Sequence, residues 1–335
     1  MGIWLSRQSM IDTFLEIAAF KAGVVLTEEE VIEFLAGSQI GDDFLAAGKA
    51  GGRTDSVEIE EAAAQLLYRL GNIESPSIIP TTIQLFHRYK SDPAQLEILH
   101  GVERLYVEVV SKQIAEAKVL EVPYGASLDP GPLLTAVAHN YGSDGLDMAM
   151  EIISGVNNDM HRSALGRVRN VEWKDEVTLK DLFASEKLET QHGKFLDQRF
   201  IDFLDRNFDE IDQMHWRKFE GLAGEFFERE GYKVEMGPGR GDEGVDLRVF
   251  PKDAAASDPP LIIVQCKRQK AKIDMVLVKS VYTDVEWEKA ESGLIVTTST
   301  FSPGADRIRT ARAYPIEAAD RPKLKEWLAK MRSGA

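Results

Sequence analysis

The chain has 335 residues, 44% hydrophobic and 28% charged, a composition that excludes collagen-like, low-complexity and mostly disordered proteins. Its formal charge of −15 is unevenly divided: residues 1–200 carry −13, residues 201–335 carry −2, and residues 261–335 taken alone carry +5. An acidic body thus joins a locally basic stretch that can meet phosphates, and the single cysteine excludes a disulfide scaffold and any CxxC zinc or redox site.

No apolar run approaches the ~20 residues that span a bilayer. Ile11–Phe20 carries Asp12 and Glu16, which departs from a signal-peptide core. The expectation is a protein of the reducing cytoplasm, without a membrane partner. Met1–Ser6 fits a myristoylation template, a pattern too short to outweigh a chance match.

Residues 1–186 read mainly as helices. Apolar spacings of three and four mark Ile11–Phe20, Glu28–Leu35, Val57–Leu70 and Leu96–Val119. Thr27 before Glu28, Glu29 and Glu30 predicts an N-cap followed by acids in the first turn. Glycine, proline and serine place loops at Gly48–Arg53, Gly71–Pro80 and Pro123–Pro132. No solenoid repeat is present. His87, His100, His139 and His161 lack HxH or HxxxH spacing and read as surface or capping residues. Arg162, Arg167 and Arg169 read as a solvated helix face. Lys187–Lys194 is polar and reads as a linker.

Two amphipathic helices follow, Phe195–Ile211 and Gln213–Glu230. After Gly231 the period shortens. Tyr232–Met236 and Val245–Phe250 read as strands, and the aliphatic run Leu261–Cys266 suits a buried central strand. Helix Ile273–Glu288, strand Gly293–Thr298, helix Pro303–Ala313 capped by Ser302, strand Tyr314–Ala318 and helix Arg321–Met331 complete the chain. The fold class is therefore an α/β domain with a mixed central sheet flanked by helices, preceded by a mainly α-helical domain. The predicted boundaries are 1–190 and 195–335.

Four polar residues interrupt these core elements: Glu220, Asp246, Gln265 and Lys267. Strand alternation puts Gln265 and Lys267 on one face and Cys266, a packing residue, on the other. A lysine and an amide projecting from a buried strand beside an aspartate are costly without a partner or ligand. The set suits a Mg²⁺-dependent phosphodiesterase, with Mn²⁺ as a possible substitute. Asp246, Gln265 and Glu220 offer hard oxygen ligands, and Lys267 offers a charge to position water and offset the developing anion.

The pieces Phe219-Glu220, Gly231-Tyr232, Gly241–Leu247, Gln265–Arg268 and Val296–Ser302 occur in order, and together they resemble the Mrr-type restriction endonuclease domain, a branch of the PD-(D/E)xK nucleases. That resemblance covers about a third of the chain. It implies Asp246, Gln265 and Lys267 as the catalytic set with Glu220 as an auxiliary acid, DNA as substrate, and a place in restriction or anti-phage defence. Many members of that family carry a short winged-helix module ahead of the nuclease, which residues 1–186 do not fit.

Around this set, Arg240, Arg268, Lys270 and Lys272 are candidate phosphate contacts, joined by Thr298 and Ser299. Asp242 and Glu243 read as turn residues. Gly239–Gly244 matches GxGxxG, but a strand rather than a helix follows, which rejects a dinucleotide site. A double-strand cut needs two sites, so a homodimer or larger assembly is expected. The N-terminal region is expected to regulate cleavage, through assembly, DNA engagement or a protein or phage-derived trigger. The rival readings are a nucleic-acid-binding module that does not cut, and a nuclease acting on RNA.

Overall fold

In the computed structural model the described residues are 2–46, 50–119, 128–163, 166, 168–169, 171–239 and 244–334. Arg167, Arg240, Asp242 and Glu243 lie outside them. The chain divides into two compact units. One comprises Met1–Ile17, Ile32–Leu67 and Ile73–Glu172; the other comprises Ala18–Val31, Tyr68–Asn72 and Trp173–Ala335.

The first unit is helix-rich. Helices Thr81–Tyr89, Pro93–Val119 and Gly131–Arg162 enclose a core of Leu85, Leu99, Val102, Leu133, Val137, Met148, Ala149 and Ile152. Gly101 lets two of these helices approach closely, since a Cβ there would lie 2.0 Å from the Tyr141 hydroxyl. The 32-residue helix Gly131–Arg162 is broken internally at Gly142, where φ is 63°. Strands Ile3–Ser6 and Gly51–Thr54 pair antiparallel, and helix Ser56–Arg69 follows within a residue of its predicted start.

In the second unit, Thr27 caps helix Glu28–Phe34 as expected. The Thr27 N–H donates to Glu30 Oε2, and the Glu30 N–H donates back to Thr27 Oγ1. A parallel pair of two-residue strands, Val24–Val25 and Val177–Thr178, lies outside every predicted strand.

The C-terminal elements are α1 (Gln198–Arg206), α2 (Trp216–Arg229), β1 (Lys233–Met236), β2 (Leu247–Phe250), β3 (Ile262–Lys267), α3 (Met275–Glu288), β4 (Ser292–Thr297), α4 (Pro303–Ala311), β5 (Ile316–Ala319) and α5 (Arg321–Ser333). The predicted helix Phe195–Ile211 is thus shorter, and a 3-10 turn follows it at Phe208–Asp212.

The five strands form one mixed sheet in sequence order. β1, β2 and β3 run antiparallel, and β3, β4 and β5 run parallel. α3 and α4 are the crossovers that parallel strands require. α3 starts at Asp274, whose side chain accepts from the Leu277 N–H at 2.9 Å. Its Val278, Val281 and Val285 bury against Val245, Ile263, Ile295 and Ile316. Because Ile263 faces α3, the strand period brings Gln265 and Lys267 to that face and Cys266 to the other. α2 also packs against β1, β2 and β3.

Candidate active site

Asp246 stands one residue before β2. Its N–H donates to the Val264 carbonyl at 3.1 Å, and its carbonyl accepts from the Gly237 N–H at 2.7 Å. With the backbone held on both sides, the carboxylate has a fixed origin. Asp246 Oδ2 accepts from Gln265 Nε2 at 2.9 Å and from the Cys266 N–H at 2.6 Å. Asp246 is 5% exposed and Gln265 3%, so these bonds form in a low-dielectric setting.

Glu220 reaches the same place from α2 and is 5% exposed. Its Oε2 accepts from Arg217 Nη1 at 2.7 Å, and Arg217 Nη2 donates to the Gly237 carbonyl at 2.8 Å. Arg217 therefore ties α2 to the backbone that also holds Asp246. Burial pushes the Glu220 carboxyl far above the ordinary range, and the Asp246 charge and a hydrogen bond with it add to the rise. The Arg217 charge opposes the shift without cancelling it. Two carboxyl groups are thus crowded together with less positive charge than they need.

Lys267 ends β3, and its ammonium makes no hydrogen bond or ion pair among the described residues. Burial, Asp246 and Glu220 push the Cys266 thiol up, and Lys267 pulls it down. All three charges therefore act on one buried thiol, and the cysteine is the packing residue its register predicts.

The basic turn after β3 is shaped by buried hydroxyls. Thr297 Oγ1 donates to the Lys267 carbonyl at 2.8 Å, Thr298 Oγ1 to that of Gln269 at 3.4 Å, and Ser299 Oγ to that of Lys270 at 3.2 Å. Thr298 and Ser299, expected as phosphate contacts, are buried with their hydroxyls committed to backbone. Arg268 is likewise turned inward, with Nη1 donating to the Asp212 carbonyl at 2.6 Å. Lys270 and Lys272 are exposed. Arg240 lies outside the described residues.

Arg217 was not singled out in the sequence, although its spacing of three before Glu220 on a helix is the usual signature of such a pair. Asp284, on α3, is a second omission. It sits one residue before buried Val285, and its Oδ2 is buried.

Asp246, Glu220 and the Gln265 amide oxygen are hard donors that could hold Mg²⁺ or Mn²⁺. Among the described residues there is no group of three or more His, Cys, Asp or Glu suited to a metal. A cation here would rest on two carboxylates, an amide and water, the sparse ligation Mg²⁺ prefers. The crowded carboxyl pair fits that group, because a divalent charge would offset both the burial and the Asp246 repulsion that raise Glu220.

Residues 211–328 match the family model Mrr_cat, described as restriction endonuclease. The C-terminal region carries an Mrr-type restriction endonuclease domain. The match takes in α2, all five strands, α3 and α4, and so every residue of the candidate site. An uncharacterized protein of Sinorhizobium fredii, y4cE, is 24% identical over 117 residues, which are 35% of this chain and 30% of that protein. The MspJI restriction endonuclease, solved in complex with a 27-mer oligonucleotide, aligns over 62% of this chain and 43% of its own at 16% identity and a TM-score of 0.26. The chain thus spans less than half the length of these two relatives. Among the described residues no helix is long and apolar enough to cross a membrane.

Proposed function

We propose that the protein is a Mg²⁺-dependent endonuclease that hydrolyses phosphodiester bonds in DNA, with Mn²⁺ able to replace Mg²⁺. The observation that carries this reading is the meeting of Asp246 Oδ2 with Gln265 Nε2 beside the crowded Glu220 carboxyl, with the uncommitted Lys267 ammonium two residues further along the strand. The family match over 211–328 supports DNA as substrate and a role in restriction or anti-phage defence.

In this reading Asp246, Glu220 and Gln265 hold the cation, which when bound polarises the phosphoryl oxygen and acidifies water. Lys267 orients the attacking water and offsets negative charge as the phosphorus gains its fifth oxygen. Burial of Asp246 and Gln265 keeps bulk water from loosening this arrangement. Lys270 and Lys272 contact backbone phosphates, on a turn whose shape Arg268, Thr298 and Ser299 maintain. The helix-rich unit regulates or targets cleavage, and the working form in the cytoplasm is a homodimer or larger assembly that brings two sites to one duplex.

The test is cleavage of plasmid DNA in Mg²⁺, with EDTA, single-stranded DNA and RNA run in parallel. Asp246→Ala and Lys267→Ala are expected to abolish cutting. Undiminished cleavage by both would refute the site. Retention of DNA in EDTA with no cutting under any metal would favour a binding module, and preference for RNA a different polymer. A gating test must keep Ala18–Val31 and Tyr68–Asn72, because both belong to the unit that holds the site.

A further inference from the structure

Among the described residues Asp284 Oδ2 is buried with no hydrogen-bond partner. Asp284 lies on α3, the helix that covers the sheet face bearing Ile263 and therefore Gln265. Two oxygens border the space in front of Gly244. A Cβ there would lie 3.4 Å from Gln265 Oε1 and 3.9 Å from Asp284 Oδ2. Gly244 has a φ of +99°, so glycine suits both the backbone and the gap. The charged groups next along the helix are already matched, Glu288 taking Arg248 Nε at 2.7 Å and Nη2 at 2.5 Å. Among the described residues neither oxygen accepts a hydrogen bond, while Gln265 Nε2 directs one of its two N–H groups to Asp246 Oδ2.

The amide orientation follows from charge. Beside the Asp246 carboxylate and the crowded Glu220 carboxyl, and without a metal ion, Gln265 must present Nε2, because Oε1 would add another negative end. Beside a bound cation the preference inverts, and Oε1 must turn inward. The displaced NH₂ is then buried and needs an acceptor.

We propose that Asp284 is a positioning residue for Gln265. Its free oxygen receives Nε2 when the amide turns by half a rotation about its last torsion, which makes Gln265 an oxygen ligand. This inference rests on the metal-site reading above and names a residue that reading does not use. Groups that orient a ligand in this way typically set metal affinity by about 10- to 100-fold.

The experiment is a Mn²⁺ titration of the intact protein without nucleic acid, with free ion followed by electron paramagnetic resonance. Asp284→Ala is expected to weaken binding at least about tenfold. Asp284→Asn removes the charge but keeps a carbonyl acceptor, and is expected to stay within about threefold of the unaltered protein. In a Gln265→Glu background the loss on Asp284→Ala should vanish, since a carboxylate ligand has no N–H to lodge. Binding by Asp284→Ala equal to the unaltered protein overturns the proposal. So does an Asn variant as weak as the Ala variant, or a loss that persists in the Gln265→Glu background. Asp246→Ala reads the underlying site separately: if it binds Mn²⁺ undiminished, the metal-site reading falls first, and the Asp284 proposal with it.

Discussion

Arg199 and Arg217 are each tied to a buried carboxylate in the same compact unit, and the two settings end in opposite electrostatic states. Around Arg199 all five guanidinium donors are used. Nε and Nη2 bind Asp197 at 2.7 and 2.9 Å, Nη2 also binds Asp175 Oδ1 at 2.9 Å, and Nη1 binds the carbonyls of Asp175 and Gly23 at 2.7 and 3.1 Å. The Trp173 ring lies 4.8 Å from the guanidinium carbon. Burial alone would push Asp197 up, but the bonds from Arg199 and Thr190 reverse this and hold the carboxyl below its usual range. Around Glu220 burial acts in the same direction, Asp246 adds to it, and one arginine does not reverse it. The first cluster is complete as it stands. The second has a deficit of positive charge that a bound cation would offset.

The largest expected effect distinguishes these two descriptions directly. Asp246→Asn keeps an acceptor for the Cys266 N–H and removes the charge facing Glu220. Cleavage should fall by about 1,000-fold or more, roughly 4 kcal/mol in the barrier, while the urea midpoint holds or rises. A variant that loses both activity and several kcal/mol of stability would make Asp246 a structural partner like Asp197. Next in size is Arg199→Met, which strands the buried Asp197 carboxylate. Urea unfolding should show a loss of about 3–5 kcal/mol, and a companion Asp197→Leu change should recover much of it. A small loss from the single variant would erase the contrast, because Arg199 would then be as dispensable as an exposed ion pair.

The C-terminal elements were legible because their signals are local. β3 is a run of aliphatic residues, Ser302 is a side-chain cap, and strand alternation alone put Gln265 and Lys267 on one face with Cys266 on the other. The long helix Gly131–Arg162 was not legible. Gly142, Gly145 and Gly155 weaken its intrinsic propensity, and its buried Leu133, Val137, Met148 and Ile152 hold it by packing. The parallel strands Val24–Val25 and Val177–Thr178 are two residues each and join segments about 150 positions apart, which no short window detects. At the site the four interrupting residues were visible as polar side chains in apolar surroundings. The inward turn of Arg268 was not, because its partner Asp212 is 56 positions away. Asp284 escaped notice for the same reason. An aspartate on a helix is ordinary until Gly244 and Gln265 are folded against it.

Asp202 is the case that sharpens the comparison, since it carries a charge deficit away from the candidate site. It lies on α1, and burial pushes its carboxyl up to about 6 against the opposing bond from Gln198 and the charges of Arg332 and Arg229. The folded protein holds this proton at pH values where the unfolded chain has released it. Its contribution therefore favours folding at low pH, declines as pH rises from about 4 to 6, and stays unfavourable above that. Asp202→Asn keeps an oxygen for the Gln198 amide at 2.8 Å and removes the ionisation. It should stabilise the protein by about 2–3 kcal/mol at pH 8 and by almost nothing at pH 4, read from urea curves at the two values, with cleavage unchanged. If cleavage falls as well, the deficit at Asp202 is coupled to catalysis and charge deficit alone marks function. If only stability moves, the mark of the site is the deficit together with the lysine at the end of β3, because a second carboxylate, Asp205, acts on Asp202 just as Asp246 acts on Glu220.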